Sequence, residues 1–108
     1  MTPEKQRIKI AEACGWILNP ECDFLGKAFP QCWTHDDYNM VFHDYELPDY
    51  LKDLNAMHEA ETVLPKDLRA CWMIDLCKIT DDSFWATARA TAAQRAEAFL
   101  RTLNLWES

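Results

Sequence analysis

Apolar positions recur with a helical period over four stretches of the chain and lose that period over a fifth. In Ala90–Trp106, Ala96, Phe99, Leu100 and Leu103 stand at i, i+3, i+4 and i+7, which predicts a helix with one buried stripe. Thr91 and Gln94 form a capping box that fixes its start, and Glu97 precedes Arg101 in the favourable i, i+4 order. At the other end, Thr2-Pro3-Glu4 supplies a hydroxyl cap, a proline at the first helical position and an acid in the first turn. Ile8, Ala11 and Cys14 mark the buried side of that helix, and Gly15 ends it, so it covers roughly residues 3 to 14. Pro48 opens a second helix with Leu47, Tyr50, Leu51, Leu54, Met57 and His58 on one side, which Pro65 ends or restarts. Leu68, Cys71, Trp72, Leu76 and Ile79 carry the period through a third, closed by the turn Thr80–Ser83.

Residues 16 to 46 hold one of the two glycines, Gly26, and no helical period. Ala28–Thr34 and Asn39–Tyr45 are rich in aromatic and β-branched side chains, with the turn-forming His35-Asp36-Asp37-Tyr38 between them. Two antiparallel strands are expected, with Pro30 at a strand start or edge and Trp16–Leu18 as a third short strand. Phe84–Ala88 is a further strand candidate. Helices interleaved with few strands predict an α+β fold, one domain over residues 1–108, with a small antiparallel sheet covered by helices.

Charge removes several function classes. Eighteen acidic against eleven basic side chains give a net charge of -7, which disfavours a nucleic-acid backbone and an anionic membrane surface as partners. No apolar run approaches a membrane span, and the opening residues begin a helix where a signal peptide would carry an apolar segment, so a cytoplasmic protein is expected. Five cysteines make an odd count with no even spacing, which reads as free thiols serving as small hydrophobes, Cys14 and Cys71 in the core.

Three words of the chain, Ile10–Trp16, Leu47–Leu64 and Ala90–Trp106, occur in an order that resembles bacteriophage proteins of the ABA-sandwich domain family. The resemblance implies a sheet sandwiched between helical layers, and a viral origin that would place the protein in the host cytoplasm. It implies no activity, because that family carries no established catalytic motif.

The residues themselves offer few constellations for chemistry. His35-Asp36-Asp37 suggests a metal phosphohydrolase but has only His43 and His58 to support it, so a solvated turn is the plainer reading. Cys22, Cys32, His35 and His43 are zinc-ligand types without a tight Cys-x(2–4)-Cys pair. No thiol stands at an activating position, and no glycine-rich loop could cradle phosphates. We expect no catalytic residue, metal or cofactor.

A base and phosphate can still be clamped by aromatic and arginine side chains, for which Trp33, Tyr38, His43, Trp85, Arg89 and Arg95 are the candidates. In the plainer reading Trp33 and Trp85 pack, while Arg89 and Arg95 solvate helix surface. The five tryptophans are core or interface anchors. The sequence thus points to a non-enzymatic phage accessory protein, sharpest as a homo-oligomeric sponge that traps a host cyclic nucleotide or other nucleotide-derived immune signal between subunits. Two alternatives stand beside it: an inhibitor of a host defence enzyme using exposed tryptophans or the acids from Asp36 to Asp53, and an enzyme that degrades the signal.

Overall fold

The structure is a computed structural model that describes residues 1–81 and 83–107. Its α+β architecture comprises, among the described residues, five helices and two small antiparallel sheets. Helix α1 is Pro3–Ala13, with Thr2 Oγ1 accepting from the Lys5 amide at 3.3 Å. It closes in a Schellman turn: the Gly15 and Trp16 amides donate to the Glu12 and Ala11 carbonyls, and Gly15 takes φ +101°. A Cβ at Gly15 would also stand 3.2 Å from His35 Nε2, so conformation and packing both select glycine here.

Strands β1 (Ile17–Asn19), β4 (Cys32–His35) and β5 (Tyr38–Val41) form one sheet in the order β1-β4-β5. Ile17 faces Thr34 across the first pair, and His35 faces Tyr38 across the second. Asp36 and Asp37 fill the turn between β4 and β5, as their turn chemistry predicts. Strands β2 (Cys22–Phe24) and β3 (Lys27–Phe29) make a separate hairpin through Leu25 and Gly26, both at positive φ. The stretch Ala28–Thr34 is therefore two strands of different sheets, broken at Pro30, whose ring nitrogen has no proton for a ladder.

Three elements differ from the sequence reading, the first being the strand expected over Asn39–Tyr45, which ends at Val41 before a 3-10 turn at Asp44–Glu46. Helix α2 is Leu54–Glu61 and does not begin at Pro48: the Asp53 carboxylate accepts from the Asn55 and Ala56 amides and starts the helix there. Residues 48–52 form tight turns that still bury Leu47 and Tyr50, while Leu54 and His58 are exposed. Phe84–Ala88 is a helix, α4, because Ser83 Oγ caps it by accepting from the Ala86 amide at 3.2 Å. That local cap outweighs the β preference of Phe84, Trp85 and Thr87. Part of the expected turn over 80–83 lies outside the described residues.

Helix α3 (Lys66–Ile79) follows Pro65, and α5 (Ala92–Thr102) carries the predicted Thr91–Gln94 capping box. Its end is a second Schellman turn, with Asn104 at φ +59° and the Leu105 amide donating to Leu100 O at 2.8 Å. α5 is the hub of the core: it packs against α1, α2 and α3, and Ala96, Ala98, Phe99 and Leu100 are completely buried. Trp16 and Trp33 bring the sheet into the same core.

The thiols also differ from expectation. Cys22 and Cys32 form a disulfide, because the starts of β2 and β4 lie 6.1 Å apart at Cα, within bridging range. Cys14, Cys71 and Cys77 are free, and Cys71 lies exposed on α3, not in the core. Among the described residues no helix is long and apolar enough to cross a membrane.

Candidate functional site

The six residues nominated for a clamp lie in separate parts of the molecule. Trp33 is buried on β4, where its Nε1 donates to Asp44 Oδ1 at 2.8 Å. Tyr38 is half-exposed on β5, stacked on Trp16 at 5.6 Å, with its hydroxyl donating to Glu59. His43 stacks in parallel on exposed Tyr45. Only Trp85 and Arg89 are neighbours: the guanidinium lies 5.6 Å from the ring centre of Trp85, which is 69% exposed beside the 90% exposed Phe84.

Arg95 has the most specific surroundings. Its Nε and Nη2 donate to Glu61 Oε1 and Oε2 at 2.6 and 2.9 Å, and its guanidinium lies 5.0 Å from the centre of the Trp72 ring. This is a forked pair in a largely covered site, so it is anchored and directional. Helices α2, α3 and α5 thereby converge on one side-chain cluster.

Beside it opens a cleft of about 400 Å³ lined by His58, Glu61, Leu64, Arg69, Trp72 and Met73 among others. That volume falls within the range of small-molecule sites. Glu61 is already neutralised by Arg95, so the remaining polar groups are mainly donors. Arg69 commits Nε to the Leu64 carbonyl at 3.2 Å, which leaves its terminal nitrogens for an incoming acceptor. Trp72 Nε1 is buried without a partner, an uncommon and costly condition for an indole N–H. The cluster therefore suits an anionic group carried on an apolar or aromatic body.

Of this cleft only Arg95, behind its wall, was legible as a candidate. Trp72 and His58 stand on helical periods, Arg69 carries no signal in the sequence, and only the turn at residues 62–65 between α2 and α3 brings them together. Among the described residues no group of three or more His, Cys, Asp or Glu side chains could hold a metal ion. Cys22 and Cys32, two of the zinc-ligand candidates, are bonded to each other.

The acids from Asp36 to Asp53 are partly absorbed by the fold. Asp44 accepts from Trp33 and Gln31, Glu46 from the His43 amide, and Asp53 caps α2. Comparison with known protein families, curated proteins and solved structures finds no match.

Proposed function

We propose that this protein is a non-enzymatic phage accessory protein of the sandwich type that acts in the host cytoplasm as a homo-oligomeric sponge for a nucleotide-derived immune signal. The observation that carries the reading is the donor-rich cleft beside Glu61–Arg95, where the terminal nitrogens of Arg69 stand ready for an acceptor such as a phosphate oxygen. Met73 on the cleft wall and the adjacent Ile74 are about half exposed. Phe84 and Trp85 on α4 are also exposed, and a second copy would cover apolar side chains of this kind and close the mouth over the ligand.

The test is thermal unfolding against cyclic di- and oligonucleotides, ADP-ribose derivatives and mononucleotides, with size measured alongside. A ligand at a hundred times its dissociation constant adds about 2.7 kcal/mol, which moves the midpoint of a domain this size by on the order of 10 °C. Arg69→Ala abolishes that shift while the unliganded midpoint holds. A flat panel with a monomeric protein overturns the reading. The exposed Phe84–Trp85 pair favours a second reading, an inhibitor anchored on a host enzyme by these rings. It predicts co-purification with that enzyme and no nucleotide response.

A further inference from the structure

A second cleft, of about 280 Å³, lies where the end of α1, the β4–β5 turn and α2 meet, and its chemistry is the reverse of the first. Its aromatic side is Trp16 stacked on Tyr38, tilted by 13°, with Tyr50 behind them. Its charged groups are the carboxylates of Asp37 and Glu59, and no lysine or arginine is among its lining residues.

His35 spends its ring nitrogens on the backbone and turns neither toward a ligand. The Asp37 amide donates to its Nδ1 at 3.0 Å, so the ring proton sits on Nε2, which donates to the Cys14 carbonyl at 2.8 Å. Both ring nitrogens are thereby engaged within the fold. Cys14 supplies no reactive anion, because burial pushes its thiol up to about 11. Tyr38 spends its proton on Glu59 Oε2 at 3.1 Å, and that bond raises the hydroxyl above its ordinary value. Glu59 Oε1 remains for another donor.

We propose that this cleft binds a small organic cation, an ammonium on an aromatic or apolar body, with its charge against Glu59 and Asp37 and its body against Tyr38 and Trp16. Carboxylates and ring faces both attract such a cation. A phosphate would meet two carboxylates in a chain of net charge -7. A bare metal ion would find too few oxygen ligands, since hard cations take six or more. The proposal does not rest on the anion cleft, which shares only Thr62 among the lining residues and has the opposite charge preference.

Isothermal titration with phenethylamine, its neutral analogue 2-phenylethanol and the anion phenylacetate tests it. Saturable binding of the amine is expected, at least about tenfold tighter than the alcohol, with the carboxylate not bound in this cleft. Glu59→Gln removes that tenfold preference and leaves the unfolding midpoint in place, because Glu59 is exposed and a glutamine oxygen can still accept from Tyr38. Arg69→Ala leaves amine binding unchanged. Failure of the amine to saturate, equal binding of the alcohol, or full affinity in Glu59→Gln overturns the proposal.

Discussion

Glu61 on α2 and Arg95 on α5 meet through two parallel hydrogen bonds, with Trp72 of α3 beneath the guanidinium. The pair is about five-sixths covered, so removing one partner leaves a poorly solvated charge. Arg95→Ala is expected to cost about 2 kcal/mol, whereas Arg89→Ala on exposed α4 should cost under about 0.5 kcal/mol. Urea unfolding of the two variants checks the contrast. Equal effects would show that the Glu61 fork contributes no more than surface charge.

Phe84 and Trp85 stand out from the fold by 90% and 69%, so their packing contribution is small. In the proposed homo-oligomer, the double change Phe84→Ser, Trp85→Ala is expected to alter stability by less than about 1 kcal/mol while it gives a monomer in sedimentation. An unchanged oligomer would place the contact between copies elsewhere.

The three free thiols differ in accessibility. Cys71 is exposed and should be alkylated first near neutral pH, whereas Cys14, held protonated to about 11, should resist. The same shift sets a pH dependence. Between the ordinary value of 9.0 and about 11, the folded protein keeps a proton at Cys14 that the unfolded chain releases. Stability from this group is therefore complete below about pH 9 and is lost as pH rises through that window. The Tyr50 hydroxyl, also raised by burial, acts in the same direction at higher pH. Cys14→Ser should flatten the descent measured by thermal unfolding.

The β2–β3 hairpin is tied to the sheet by Cys22–Cys32 and by Phe24 and Phe29 against Phe42, at ring-centre distances of 5.6 and 4.1 Å. Closing a loop of this size is worth about 3 kcal/mol in the chain-entropy account. Reduction should lower the unfolding midpoint and accelerate amide exchange across Cys22–Phe29, leaving the α5 amides among the slowest. A midpoint indifferent to reductant would mean that the aromatic contacts alone hold the hairpin.

Helix ends with local chemistry were legible in the chain: Thr2, Gly15 and the Thr91–Gln94 box all act as their residue types dictate. Misreadings arose where two local signals competed. Pro48 suits a helix start, but the Asp53 carboxylate captures the next free amides; Phe84–Ala88 has strand-like side chains, but Ser83 caps it. The disulfide could not be read, because Cys22 and Cys32 face each other only after two strands have paired with different partners. The donor cleft was hidden for a similar reason. Trp72 is unremarkable on a helical period and Arg69 lies off it, and their meaning comes from the turn that sets α2 against α3.

The placement of α5 bears on how the chain is made. α1, α2 and α3 all bury apolar side chains against a helix that leaves the ribosome after them. While translation proceeds, Ile10, Met57 and Leu76 have no finished core to enter, although each is fully sequestered in the native protein. The nascent chain is therefore held in a sticky, unfinished state until residues 92–102 emerge, and α5 acts as the latch whose release from the ribosome permits the whole domain to close at once.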